Sequence, residues 1–200
     1  MARTVRALPP YKAIAFCTPG PYEQEAARLR GSAMDCGVDL HVQLISACTW
    51  TEAVMSKPAF ILQMMDLFKD RPILYVDADA VFRSIPPAQE AAIDFACHWF
   101  RRSPGHPIEM LTGTLWFKNT PLVREFVALW AETTRGYAWS STPEQESLAE
   151  AFRKYKDRLI YRDFGPEMVF IFDDFKQIYP KAIPIIEHFQ ASRRLRSKKS

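Results

Sequence analysis

The stretch Ile73-Leu74-Tyr75-Val76-Asp77-Ala78-Asp79-Ala80-Val81-Phe82 decides how this chain is read. Four apolar residues follow the helix-breaking pair Arg71-Pro72, and such a continuous run suits a strand buried on both faces, as parallel sheets require. The run ends on two carboxylates, and in open α/β sheets ligands gather at the carboxyl ends of strands. Aspartates at i and i+2 on a continuing strand share one face, so Asp77 and Asp79 suit one hard cation with oxygen ligands, Mg²⁺ or Mn²⁺. The bland alternative is a pair of aspartates that solvate a turn.

Outward from that strand, apolar runs alternate with helical patterns, which predicts an α/β layer fold: a Rossmann-like sandwich around a central, mostly parallel sheet. Upstream, Ala13 to Phe16 and Leu40 to Ile45 read as strands, with a helix from about Tyr22 to Met34 between them and Gly37 as its stop. From Pro58 to Lys69 the residues Phe60, Ile61, Met64, Met65 and Phe68 form one helical face, with Pro58 suited to the first turn. Downstream, Ile93 to Phe100 and Leu115 to Phe117 are strand patterns. Thr120-Pro121 opens a helix as N-cap and N1. Thr142-Pro143-Glu144-Gln145 has capping-box spacing and opens another, reaching about Tyr155. Arg158 to Tyr161, Met168 to Phe172 and Ile183 to His188 are the remaining short apolar runs.

Composition narrows the function classes. The 200 residues are 48% hydrophobic and 24% charged, a globular balance that excludes disordered and coiled-coil classes. The net charge is +3, but the last eight residues hold five bases and no acid, leaving −2 for residues 1–192. A near-neutral body argues against broad electrostatic binding of nucleic acid. The reading is therefore a catalytic domain over residues 1–192 and a basic tail over 193–200, the tail being a solvated end or a contact for nucleic acid or a membrane surface. Cys17, Cys36, Cys48 and Cys97 form no CxxC pair and lack histidines at zinc-finger spacing, so free thiols are expected. Residues 1–10 carry no signal-like apolar run, and no transmembrane segment is found, since 18 consecutive apolar residues occur nowhere; a cytoplasmic, reducing setting is the expectation.

Beyond the aspartates, several blocks resemble the nucleotide-diphospho-sugar transferases of the GT-A fold, whose metal motif is Asp-x-Asp after an apolar strand. Lys57-Pro58-Ala59-Phe60-Ile61-Leu62 is similar to that family's basic residue and helix before the metal strand. Thr112-Gly113-Thr114-Leu115-Trp116-Phe117-Lys118-Asn119-Thr120 resembles its small-Gly-small strand ending in Asn-Thr. Glu144-Gln145 stands where the family often carries Asp-Gln, and Ile185-Ile186-Glu187-His188-Phe189-Gln190-Ala191-Ser192-Arg193 is similar to its C-terminal histidine segment. The chain departs from the pattern in having Glu144 for Asp, in lacking a Gly-rich stretch after the histidine, and in being short.

The resemblance implies a metal-dependent glycosyltransferase of hexosyltransferase type, moving a sugar from a nucleoside-diphosphate donor, UDP-linked by expectation, to an unidentified acceptor hydroxyl. It implies that Asp77 and Asp79 hold Mn²⁺ or Mg²⁺, with His188 as third ligand or, equally, as a buried histidine bonded to nearby backbone. An imidazole ligand favours manganese. Lys57 is implied as a point charge on the donor diphosphate, and Gly113 as the point where backbone approaches the sugar. Gln145 is implied on the substrate side, against a plain role as N3 of the capping box. For the basic residues Arg193, Arg194 and Arg196, closure over the diphosphate is the corresponding expectation. Trp50, Trp99, Trp116, Trp130 and Trp139 are rings able to stack on sugars, although Trp116 and Trp130 fall on core faces.

Two rival classes remain. Asp77-Ala78-Asp79 also fits the nucleophile motif of haloacid dehalogenase-like phosphatases, with Asp173-Asp174 as their acidic pair, although the nucleophile strand comes first in that fold. The other is a non-catalytic nucleotide-sugar-binding protein that docks through its basic tail. Glu109, Glu144 and Asp163 are carboxylates near segment ends, and His98 and His106 are expected to pack and to lie in a surface loop.

Overall fold

The structure, a computed structural model, describes residues 8–191, so the basic tail and its three arginines lie outside the described residues. The chain runs β1 (Lys12–Cys17), α1 (Pro21–Cys36), β2 (Leu40–Leu44), α2 (Trp50–Leu67), β3 (Ile73–Val76), β4 (Ala80–Phe82) and β5 (Phe95–Phe100). It continues through β6 (Glu109–Phe117), α3 (Pro121–Thr134), α4 (Pro143–Tyr155), β7 (Tyr161–Asp163), β8 (Phe170–Ile171), α5 (Phe172–Ile178) and β9 (Ile186–His188).

The main sheet has the order β2-β1-β3-β6-β5-β7. β6 runs antiparallel to both neighbours while the remaining pairs are parallel, so the expected mostly parallel α/β sheet is present with one reversed strand. β3 is interior and buried throughout. A second sheet, β4-β9-β8, lies beyond the carboxyl end of β3.

Strand alternation sends Ile14, Phe16, Ile73, Tyr75, Leu115 and Phe117 to one face, where they pack on α2, α3 and α4. Ala13, Ala15, Leu74, Val76 and Trp116 go to the other, under α1 and the small sheet. Trp116 and Trp130 are buried, as their positions predict. Trp130 also positions the site: its indole N–H donates to the Glu144 carbonyl at 3.0 Å and to Ser147 Oγ at 3.1 Å, tying the first turn of α4 to α3.

Three local readings change. α2 starts eight residues before Pro58, because Thr49 and Glu52 form a reciprocal capping box, and Pro58 sits inside the helix, buried against the core. Lys57 is therefore an interior helical residue, not a cation at a helix start. Thr142 makes no side-chain cap bond, so Gln145 is not engaged as a capping-box partner. Asp77 and Asp79 lie in a turn, closed by Ala80 N–H donating to the Asp77 carbonyl at 3.0 Å, rather than on a continuing strand. The turn, not strand alternation, brings them together.

Candidate metal and donor site

Asp77 extends the β3–β6 ladder by one step, its N–H donating to the Gly113 carbonyl at 2.9 Å. That register sets Thr112, Gly113 and Thr114 beside the aspartates. β4 begins one residue after Asp79, and its antiparallel pairing places Ala80 opposite His188 on β9. Two hydrogen bonds complete the fold-back: Phe189 N–H donates to the Asp79 carbonyl at 3.2 Å and Ala191 N–H to Asp79 Oδ2 at 2.7 Å. Gln190 between them is the one non-glycine residue with positive φ (49°) among those described, a strained conformation of the sort that gathers at functional sites.

Asp77, Asp79 and His188 each offer one ligand atom, all within 4.8 Å of one another. Each is also held by hydrogen bonds or an ion pair. Asp77 Oδ1 accepts from Tyr75 Oη at 2.7 Å and faces Lys57 Nζ at 3.0 Å. Asp79 Oδ2 takes the Ala191 N–H. His188 Nε2 bonds Thr114 Oγ1 at 2.9 Å. Such outer bonds hold metal ligands in place and fix the histidine tautomer. Nδ1 of His188 and Oδ2 of Asp77 both face Gly113, where an added Cβ would lie 3.2 Å from the first and 3.3 Å from the second. The glycine thus leaves room for the cluster itself, and it also lines the cleft.

The electrostatics of the cluster are set by burial and by the Asp77 charge. Burial, and then the Asp77 charge, push the Asp79 carboxyl up to about 6. Burial lowers His188 to about 4, the Asp77 carboxylate opposing it, so the imidazole is neutral at physiological pH, the state a metal needs. Burial followed by the Asp77 charge holds the Tyr75 hydroxyl well above its ordinary value, hence protonated and donating.

Lys57 is 2% exposed, its Nζ 3.2 Å from the Thr112 carbonyl, 3.9 Å from Glu144 Oε1 and 5.1 Å from the Tyr75 ring centre. Glu144 is buried too, and its Oε2 has no partner. Tyr75, Thr112 and Thr114 are structural parts of the site to which the sequence reading gave no role, whereas Glu144, singled out there as a carboxylate near a segment end, joins them. Tyr75 was visible as the i−2 neighbour of Asp77 on the same strand, and the two threonines as the small residues flanking Gly113.

These residues face a cleft of about 710 Å³ at the carboxyl ends of β1 and β3. Cys17 at the end of β1, Thr18, Tyr22 on α1, and Trp50 and Val54 on α2 also line it, as do Gln145 and Gln190. The other sequence candidates lie apart. His98 is buried and bonded to Asp163 and to the Phe164 carbonyl, and His106 is exposed beside Ser103. Asp173 and Asp174 open α5, Asp174 facing Arg102, and neither lines the cleft as the phosphatase reading needs. All four cysteines are free thiols. Among the described residues no helix is long and apolar enough to cross a membrane.

The mostly parallel sheet with one reversed strand, flanked by helices, is a GT-A-like fold shared with solved glycosyltransferases. A glycosyltransferase involved in glycosylating the major capsid of PBCV-1 matches with a TM-score of 0.69 at 12% identity, over 96% of this chain and 100% of that one. The glycosyltransferase GlyE of Streptococcus pneumoniae TIGR4 matches at 0.61 and 14% identity, over 90% of this chain and 54% of GlyE; its apo form gives 0.56 at 12%. This chain therefore spans about half the length of GlyE. No protein-family model and no curated protein matches the sequence.

Proposed function

We propose that the protein transfers a sugar from a nucleoside-diphosphate donor, UDP-linked, to an acceptor hydroxyl, with Mn²⁺ or Mg²⁺ held by Asp77, Asp79 and His188. The observation that carries this reading is the convergence of two carboxylates and a neutral imidazole within 4.8 Å, at the end of an interior strand of a glycosyltransferase fold. The residues suit a divalent ion chemically. Each aspartate keeps a free oxygen after its orienting bond, His188 keeps Nδ1 as a ligand atom in the tautomer whose Nε2–H donates to Thr114, and at Asp79, raised by burial and then by the Asp77 charge, a cation would offset both. A histidine among oxygen ligands favours Mn²⁺ over Mg²⁺. Such an ion, when bound, neutralises charge that develops on the leaving diphosphate.

The chain's own residues supply the rest. Tyr75 and Lys57 hold Asp77 with Oδ2 turned toward the cluster. Lys57 adds a desolvated positive charge beside the cluster, where electrostatic stabilisation of an anion is stronger than in water. Glu144, its Oε1 3.9 Å from Lys57 Nζ, and Gln145 also line the cleft, and the partnerless Oε2 of Glu144 suits a sugar hydroxyl donor.

Calorimetry with UDP, with and without Mn²⁺, tests the reading. Metal-dependent UDP binding is expected in the wild type, and its loss is expected in Asp77→Asn, together with a turnover loss of roughly 10³-fold or more against a UDP-sugar. UDP binding that ignores both the metal and the substitution would overturn it.

A further inference from the structure

Large aromatic rings normally cover their faces, and Trp116 and Trp130 do so in the two cores. Trp139 does the opposite. It is 77% exposed, on the short connection between α3 and α4, yet it is not loose. Its indole N–H donates to the Gly136 carbonyl at 2.9 Å, and its ring stacks on Tyr137 with centroids 5.9 Å apart and planes 25° from parallel. Tyr137 is itself anchored, its hydroxyl donating to Glu150 Oε2 at 2.7 Å, and Glu150 pairs with Lys154 on the next turn of α4. A ring fixed from behind and bare in front has already met the ordering cost of a binding surface.

Its place in the chain gives that surface a direction. Ser141 and Thr142, two and three residues further on, line the cleft, as does Glu144 in the first turn of α4. The chain thus passes within three residues from the exposed indole to the hydroxyl side chains of Ser141 and Thr142 that line the cleft. A pyranose has the matching chemistry: an apolar face of C–H bonds that packs on a π-surface, and a rim of hydroxyls that suits serine and threonine. A single ring in a polar surround is too small to form the core of a stable protein interface, which takes about 1,000 Å² or more.

We propose that Trp139, backed by Tyr137, is the stacking platform for a pyranose ring of the acceptor carbohydrate; the word acceptor rests on the glycosyl-transfer reading above. Uniformly ¹⁵N-labelled full chain gives an indole signal for each of the five tryptophans, and the Trp139 signal is assigned by its absence in Trp139→Phe. The probes are methyl α- and β-glycosides of glucose, galactose, mannose and N-acetylglucosamine, and separately UDP with Mn²⁺. The expected result is that at least one glycoside moves the Trp139 signal, that Trp139→Ala weakens this glycoside about five-fold or more, and that UDP affinity is unchanged by the substitution. A Trp139 signal unmoved by every glycoside, with UDP binding intact, overturns the platform alone. A signal moved by UDP and lost affinity for UDP in Trp139→Ala overturns it in favour of a nucleobase contact. Absent UDP binding with the glycoside shift retained strikes the donor reading and leaves the carbohydrate site standing.

Discussion

The two ends of the parallel strands β1 and β3 carry opposite kinds of polar cluster. At the amino end, Asp39 lies between Lys12 and Arg71, with Arg71 Nη1 2.6 Å from Oδ2, and Arg71 reaches the Pro9 and Tyr11 carbonyls as well. Two cations surround one acid. Partial burial would raise that carboxyl, but the hydrogen bonds from Lys12 and Arg71 prevail and hold it below the usual range. At the carboxyl end, Asp77, Asp79 and Glu144 share one ammonium, Lys57; Asp79 is pushed up to about 6 and an oxygen of Glu144 has no partner. The first cluster is satisfied by the chain alone and serves stability. The second sets three carboxylates against one ammonium, and frustrated electrostatics in a cleft is a mark of a functional site.

The sharpest way to break that contrast is Asp79→Asn. The substitution should abolish metal-dependent UDP binding while making the metal-free protein more stable at pH 7.5. The sign follows from the raised carboxyl. The folded state binds more protons than the unfolded one between pH ~4 and ~6, so stability falls as pH rises through that window and stays lower above it. Asparagine has no such penalty, and the gain, up to ~3 kcal/mol at pH 7.5, should shrink toward pH 4. Urea titrations at several pH values read it; equal destabilisation at every pH would make Asp79 a structural residue.

Gly113→Ala is a smaller perturbation. The new methyl would sit 3.1 Å from His188 Cε1, so the imidazole must give by a few tenths of an ångström. Mn²⁺-dependent UDP affinity should fall several-fold with the unfolding midpoint shifted by ~1 kcal/mol or less. An unchanged affinity would mean that His188 is free to move and contributes little to ligation.

Asp39→Ala should leave UDP and metal binding unaltered and cost stability alone, about 1–3 kcal/mol, discounted from a fully buried pair because the cluster is partly open to solvent. The wild-type contribution is present above the unfolded carboxyl's pH range and is lost as pH falls through the lowered folded value, so the variant and wild type should converge in acid. A loss of UDP affinity here would show that the two ends of the strands are coupled.

Local chemistry determined much of this molecule from sequence alone. Continuous apolar runs marked β1 and β3 because strands buried on both faces leave no room for alternation. Gly37 stopped α1 in the left-handed conformation that only a glycine adopts cheaply (φ 75°), and Thr120 capped α3 through the Val123 N–H. Asp77, Asp79 and His188 were legible as residue types in a family order. What the tertiary structure decided is long-range. The start of α2 was missed because the Thr49–Glu52 box lies outside the strong apolar stripe, and with it the burial of Lys57. The reversed direction of β6, which brings Thr112 and Thr114 beside the aspartates, and the β4–β9 register, which returns His188 to Asp79, depend on pairings between distant segments. No window of sequence contains both partners of such a pair, and strand direction leaves no trace in side-chain alternation. The candidate residues could therefore be named in advance, but the hydrogen bonds that aim them, and the proximity of their charges, exist only once the sheet has closed.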